Sequence, residues 1–123
     1  MVDMTASLLH HGHVRLLKEA KKLGWVVVAL TTDDEIVRHK GFTSPLSFDE
    51  RKEVLESIRY VDEVVPSEWL ITEEFLNFHK ADFLVHGDDN KNPIPDDRII
   101  IFKRTEGISS TDLRKLRRSS FES

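Results

Sequence analysis

The chain has 123 residues and a formal net charge of −4, with 39% hydrophobic and 33% charged residues. That length suits one domain around a single hydrophobic core, and the composition is that of a soluble globular protein. The charge balance gives no sign of nonspecific nucleic-acid binding, and the lack of cysteine excludes disulfides and thiolate chemistry. The longest apolar run, Trp25 to Leu30, is too short to span a membrane, and no signal peptide is visible. We therefore expect a cytoplasmic protein without a nucleic-acid or membrane partner.

In chain order, the hydrophobic pattern predicts alternating strands and helices. Val2 to Thr5 is a short candidate strand, and apolar residues at helical spacing over 13 to 23 predict the first helix. The β-branched, wholly apolar segment from Trp25 to Thr31 is typical of a strand buried on both faces. A polar loop, Arg38 to Leu46, then leads to Ser47-Phe48-Asp49-Glu50, a capping box that begins the next helix.

The second half of the chain continues the alternation. Val61 to Val65 is predicted as a strand that Pro66 ends, and Thr72 caps a helix with two glutamates in its first turn. Further strands at Phe83 to His86 and Arg98 to Phe102 are followed by a last helix that Ser109 or Ser110 caps. The order βαβαβαββα predicts an α/β fold: a Rossmann-like single domain over 1–123, with a five-stranded, mainly parallel sheet and helices on both faces.

Two motifs near opposite ends of the chain suit phosphate. His10-His11-Gly12-His13 follows the first strand, and Arg104 to Thr111 (RTEGISST) precedes the last helix. Each lies at a predicted helix start, where unpaired N–H groups and the helix dipole favour anions. His86-Gly87-Asp88-Asp89 follows the fourth strand. If strands one and four are neighbours, this segment and the histidine motif line one crevice beyond the carboxyl ends of the strands.

These residues also have ordinary structural interpretations. The histidines could be solvated or bind zinc, although no cysteine or second ordered histidine cluster completes such a site. Lys40 and Arg104 could be solvated surface residues, and Asp88-Asp89 could cap a turn. Arg51 could form a surface salt bridge with a neighbouring glutamate as readily as bind a ligand. The segment after the first strand lacks G-x-G-x-x-G, which argues against a dinucleotide oxidoreductase.

The motifs together carry a family resemblance. The chain resembles the small cytidylyltransferases of the HxGH nucleotidyltransferase superfamily, which act on glycerol 3-phosphate, phosphocholine or phosphoethanolamine. The RTEGIS core is specific for cytidylyl rather than adenylyl transfer, and the compact length looks most like the glycerol-3-phosphate enzymes. The matching segments, in family order, are Leu8 to His13, Lys40 to Thr43, Glu50-Arg51, Arg59 to Val65, His86 to Asp89, and Arg104 to Thr111.

The resemblance implies an enzyme that moves CMP from CTP to a phosphorylated small alcohol or a similar phosphate or phosphonate and releases pyrophosphate. It implies Mg²⁺ or another divalent cation as cofactor, without naming metal ligands, and we also expect a homodimer. The catalytic residues it implies are His10, His13, Lys40 (on a mobile loop) and Arg104. Acceptor contacts would come from Arg59, Lys40 and Trp69. Nucleotide contacts would come from Thr5, Ala6, Gly12, Asp88, Asp89, Arg104, Thr105, Gly107, Ile108, Ser109, Ser110 and Thr111.

One segment departs from the family pattern. Where the family usually has glycine-threonine-phenylalanine-aspartate, this chain has Met4-Thr5-Ala6-Ser7. Ser7 keeps a hydroxyl but lacks the carboxylate, and Met4 replaces a glycine that lets the backbone approach a ligand closely. These changes leave open an alternative, a catalytically weak nucleotide-binding protein with a sensor or regulatory role on the same fold.

Overall fold

The computed structural model describes residues 1–7, 9–87 and 91–102. The predicted last helix lies outside these residues. Within them, no helix has the length and apolar character needed to cross a membrane. The strands are β1 (Val2–Met4), β2 (Val27–Thr31), β3 (Glu63–Ser67), β4 (Leu84–His86) and β5 (Ile99–Ile101), and the helices are α1 (His11–Lys21), α2 (Asp33–Lys40), α3 (Phe48–Glu56) and α4 (Glu73–Phe78).

The five strands form one parallel sheet in the order β3-β2-β1-β4-β5. The central strand β1 therefore has β2 on one side and β4 on the other, and the strand order reverses beside it. This confirms the predicted fold class and the adjacency of strands one and four. In open parallel sheets a ligand crevice forms at such a reversal, beyond the carboxyl ends of the strands.

Helices cover both faces of the sheet, each over its own apolar cluster. One cluster joins α1 and α3 to the sheet through Leu17, Ala20 and Leu55. The other cluster packs Leu76 of α4 against the opposite face. All five residues of β2 are buried, which confirms the prediction of a strand covered on both sides.

Helix α2 lies partly where the sequence predicted a loop. Thr32 caps it by accepting the backbone N–H of Glu35, and the first turn carries three acidic residues, which favour a helix N-terminus. Gly41, at φ 77°, ends it in the left-handed conformation. The predicted loop at Arg38 to Leu46 was therefore wrong at its start, because Lys40 is the last residue of a helix.

Strand boundaries differ where local sequence conflicts with tertiary context. Strand β3 continues through Pro66 to Ser67, so the prediction that Pro66 ends the strand was wrong. Because β3 is an edge strand, a residue without an N–H is tolerated there. The capping box was correct: Glu50 N–H donates to Ser47 Oγ at 3.2 Å, and Ser47 N–H donates to Glu50 Oε1 at 2.9 Å.

Candidate functional site

A pair of histidines caps helix α1 at the carboxyl edge of the sheet. Nδ1 of His10 accepts the backbone N–H of Gly12 at 3.0 Å, and Nδ1 of His13 accepts the backbone N–H of His10 at 3.2 Å. Because Nδ1 is the acceptor in both rings, the neutral form of each imidazole carries its proton on Nε2. The cap therefore fixes both tautomers and makes each Nε2 a hydrogen-bond donor, which suits an anion.

The His10 ring also influences the charge of His13. Their centroids are 4.2 Å apart. Burial, followed by the nearby positive charge of a protonated His10, lowers the pKa of His13 from 6.5 to about 4. His13 is therefore neutral near pH 7 and can donate from Nε2 without carrying a charge.

Gly12 leaves room for the His10 ring. A β-carbon on Gly12 would lie 2.8 Å from Cε1 and 3.2 Å from Nδ1 of His10, which is closer than real contacts allow. The glycine between the two histidines is thus explained by close approach of a side chain to the backbone. This placement supports treating Gly12 as part of the site.

A cavity of about 190 Å³ lies where the strand order reverses. Asp3 of β1 and His86 of β4 meet there, with Asp3 Oδ1 3.0 Å from His86 Nδ1. The sequence reading missed Asp3, although a carboxylate inside an otherwise apolar strand was a usable signal. The residues around the cavity are Asp3, Met4, Thr5, Thr31, Trp69, Leu70, His86, Lys91 and Asn92.

Two residues implied for acceptor binding come together beside this cavity. The ammonium of Lys40 lies 5.5 Å from the ring centroid of Trp69, and the His39 ring stacks on the same indole at 4.9 Å. Buried Glu35 fixes the arrangement, because its Oε1 accepts the Trp69 backbone N–H at 2.8 Å. Tertiary structure thus joins the end of α2 to the segment after β3.

Arg51 is fully buried, so the surface salt bridge suggested for it was wrong. Its guanidinium donates to the carbonyl oxygens of Thr5, Thr31 and Leu46 and to the carboxylate of Asp33. Burial alone would raise the pKa of Asp33, but hydrogen bonds from Phe48 N–H and Arg51 bring it below its usual value. No local sequence pattern separates this role from a surface one.

The segment after β1 is tightly held. Met4 lies in the core, and Ala6 is buried at φ 53°, an unusual conformation for a residue with a side chain. Thr5 lines the cavity. The Ser7 and Ser44 hydroxyl oxygens are 3.5 Å apart. Met4, Thr5, Ala6 and Ser7 are the four positions compared with the family pattern, and they precede the histidine cap in the chain.

The other residues that the family resemblance implied either lie away from the carboxyl edge of the sheet or fall outside the described residues. Arg59 lies in the turn after α3, three residues before Asp62, whose N–H bonds to Val26 O at the amino edge of the sheet. Helix α3, which carries Arg51, ends at Glu56 and does not include Arg59. The implied residues that lie outside the described part of the chain are Asp88, Asp89, Arg104, Thr105, Gly107, Ile108, Ser109, Ser110 and Thr111.

The described side chains do not form a preformed metal-binding site. Across residues 1–7, 9–87 and 91–102, no three His, Asp or Glu side chains are grouped so that they could hold a metal ion.

Comparisons with known proteins agree with this geometry. The family model described as cytidylyltransferase-like matches residues 5–116. Glycerol-3-phosphate cytidylyltransferase of Bacillus subtilis (strain 168) is 41% identical over 90% of this chain and 90% of its own length. The enzyme of the same name from Staphylococcus aureus (strain NCTC 8325 / PS 47) is 39% identical over 90% of this chain and 88% of its own length. Ethanolamine-phosphate cytidylyltransferase of Mus musculus is 36% identical over 90% of this chain, which spans only 30% of that protein.

A solved structure supports the fold. The lipopolysaccharide core biosynthesis protein from Thermoplasma volcanium GSS1 superimposes with a TM-score of 0.70 and 21% sequence identity. The match covers 85% of this chain and 95% of that one.

Proposed function

The chain belongs to the cytidylyltransferase-like family, and we propose that it transfers CMP from CTP to a phosphorylated small alcohol and releases pyrophosphate. It is an enzyme of the nucleotidyltransferase class. In this reaction a phosphate oxygen of the acceptor attacks the α-phosphorus of CTP. The bond from the α-phosphorus to the bridging oxygen of the β-phosphate breaks, and pyrophosphate leaves with that oxygen.

The observation that carries the proposal is the histidine cap. Direct displacement at phosphorus needs no nucleophile on the protein, so the enzyme has to align the reactants and stabilise developing negative charge. The Nε2–H groups of His10 and His13 are donors of fixed tautomer at the positive end of α1. Both are suited to the oxygens of the α-phosphoryl group and the leaving group in the transition state.

Lys40 and Trp69 would form the acceptor side of the site. The ammonium of Lys40 can neutralise the incoming phosphate, while Trp69 and the cavity beside it would contact the alcohol portion. We propose glycerol 3-phosphate as the first acceptor to test. Supporting this choice, the glycerol-3-phosphate relatives match along almost their whole length.

The rest of the predicted site belongs to the same proposal. Arg104 and the segment to Thr111 would hold the β- and γ-phosphates, and Asp88 and Asp89 would face the nucleotide. Mg²⁺ would be the counter-ion of the triphosphate and would neutralise part of its charge, with ligands drawn largely from phosphate oxygens. A single-domain, cytoplasmic enzyme fits a CTP-dependent reaction.

We also propose a homodimer. Several large apolar side chains are exposed, and Trp25 and Phe78 are the most exposed of those described, at 70% and 80%. Exposed apolar groups of this kind are what an interface between copies would cover.

Pyrophosphate release tests the reaction. The protein is incubated with Mg²⁺, one nucleoside triphosphate (CTP, ATP or GTP) and one acceptor from a panel of phosphorylated glycerol, ethanolamine, choline and sugars. We expect release with CTP and one or few acceptors and little with ATP or GTP. CTP binding without release for any acceptor would favour the nucleotide-binding sensor, and preference for NAD over CTP would overturn the family assignment of the site.

A further inference from the structure

We propose that Arg51 is a positioning residue, which keeps the segment bearing His10 in a fixed relation to helix α2, which carries Lys40. The inference rests on the proposed function, since it concerns the alignment of residues assigned to cytidylyl transfer. It assigns to Arg51 no contact with substrate.

The bonds of Arg51 connect separate parts of the site. One guanidinium nitrogen, Nη1, donates both to Thr5 O at 2.7 Å and to Thr31 O at 2.8 Å, and so joins the residue after β1 to the last residue of β2. Nη2 donates to Asp33 Oδ1 at 2.7 Å, and Nε donates to Leu46 O at 3.2 Å. The Arg51 side chain is fully buried, and its bond to Thr31 O lies wholly inside the protein, where water does not compete.

Two of the residues that Arg51 binds, Thr5 and Asp33, adjoin segments assigned to the site. Thr5 is followed by Ala6 at φ 53°, four residues before His10 in the chain. Asp33 is the first residue of α2, the helix that ends at Lys40. A shift of the Arg51 head group would therefore move the start of the histidine segment and the start of the lysine helix together.

The carboxylate of Asp33 extends the linkage to a third element. Its Oδ2 accepts the backbone N–H of Phe48, the first residue of α3, at 3.0 Å, while its Oδ1 accepts from Arg51. Arg51 itself lies on α3. Helices α2 and α3 are thus joined through one carboxylate and one guanidinium.

Only arginine has the geometry for these partners. A guanidinium presents five N–H donors in a rigid planar fork, whereas the lysine ammonium is a compact charge with three donors. Lysine could keep the charge near Asp33 but could not span the carbonyl oxygens of Thr5, Thr31 and Leu46 together. Arg51→Lys therefore keeps the positive charge at position 51 but removes the planar set of N–H donors.

The test compares Arg51→Lys and Arg51→Gln with a matched core variant, Leu55→Val. Leu55 lies one turn later on α3, is fully buried and makes only apolar contacts in the core cluster. Steady-state kcat and KM for CTP are measured below the thermal midpoint of each variant. We expect Arg51→Lys to lower kcat by about 10- to 100-fold with KM changed less than about threefold, because misplacement of catalytic groups affects the chemical step.

The control identifies a merely structural role. Leu55→Val should lower the thermal midpoint while keeping kcat within about twofold of the wild type, since it leaves the polar linkage intact. If folded Arg51→Lys keeps wild-type kcat, or if Leu55→Val loses as much kcat as Arg51→Lys, Arg51 contributes stability alone and the proposal is overturned.

Two further measurements keep the test decisive. If both Arg51 variants fail to fold, Asp33→Asn, at a half-exposed partner, should lower kcat at least about threefold with KM preserved. Unchanged kcat in that variant would overturn the proposal. Histidine-selective NMR gives a readout without turnover: Arg51→Lys (or Asp33→Asn) should shift the imidazole signals of His10 and His13, and Leu55→Val should not. Absence of turnover in the wild type would count against the proposed function, while the NMR shifts would still decide the role of Arg51.

Discussion

Nδ1 of His13 accepts the backbone N–H of His10, the residue that caps the start of helix α1. The two histidines therefore hold the same helix start together. Each ring uses its Nδ1 for this structural bond. The same bonds fix the proton of each neutral ring on Nε2. Under the proposed function, capping and phosphate recognition would be two consequences of one arrangement.

Gly12→Ala should separate activity from stability. The added β-carbon would meet Cε1 of His10 at 2.8 Å and force that ring to move. Alanine favours a helix over glycine, while displacement of the His10 ring weakens the cap by a comparable amount, so the thermal midpoint should change little. We expect kcat to fall by about tenfold or more. Lys18→Ala, at an exposed site on the same helix, is the control and should keep wild-type kcat.

His13 should make the folded protein less stable in mild acid. Its pKa is about 4 when folded and about 6.5 when unfolded, so the unfolded chain binds more protons between those values. Stability linked to His13 is complete above pH 6.5 and falls as the pH drops towards 4, by at most about 1.4 kcal/mol per pH unit. Urea unfolding at several pH values should show a shallower decline for His13→Gln than for the wild type. An equal decline in both proteins would contradict the shifted pKa.

Trp69→Ala should affect the acceptor more than the nucleotide. Trp69 lines the cavity and lies beside Lys40, so its removal should raise KM for the acceptor by about tenfold, the scale of one buried aromatic contact. KM for CTP should stay within about twofold. Trp25→Ala is the matched control, because Trp25 is exposed and precedes β2 at the amino edge of the sheet. A rise in KM for CTP alone would place Trp69 on the nucleotide side.

Arg104→Ala should discriminate between CTP and CMP. The proposal places the outer phosphates at Arg104, and a hydrogen bond to a charged group contributes about 1.5–3 kcal/mol. CTP should therefore bind more weakly by that amount in isothermal titration. CMP, which lacks the β- and γ-phosphates, should bind the variant and the wild type almost equally. An equal loss for both nucleotides would show that Arg104 does not contact the outer phosphates.

Local patterns predicted the fold well because they reflect local physics. The apolar run of β2 and the Ser47–Glu50 capping box each depend on a few adjacent residues, and both were confirmed. Helix α2 was not predicted as an element, since its single buried apolar residue, Ile36, gives a weak periodic signal. Its cap at Thr32 and the glycine after Lys40 were the better indicators.

The site was less predictable because its contacts join distant parts of the chain. The pairing of Asp3 with His86 depends on the adjacency of β1 and β4, which no local pattern specifies. The burial of Arg51 likewise depends on carbonyl groups from three separate segments. Motifs indicated candidate residues around His10, while tertiary structure determined which of them share an edge of the sheet.

The most direct test of the account compares His13→Ala with His11→Ala. His13 lies in the cap, whereas the neighbouring His11 is exposed and contacts Arg15 on the same helix. Turnover of CTP with the preferred acceptor and CTP affinity are measured for both variants and the wild type. We expect His13→Ala to lower kcat by about two orders of magnitude or more with CTP affinity largely kept, the pattern of a transition-state donor, and His11→Ala to remain near wild type. Unchanged kcat with weakened CTP binding in His13→Ala would contradict the account and leave the histidine pair a binding element only.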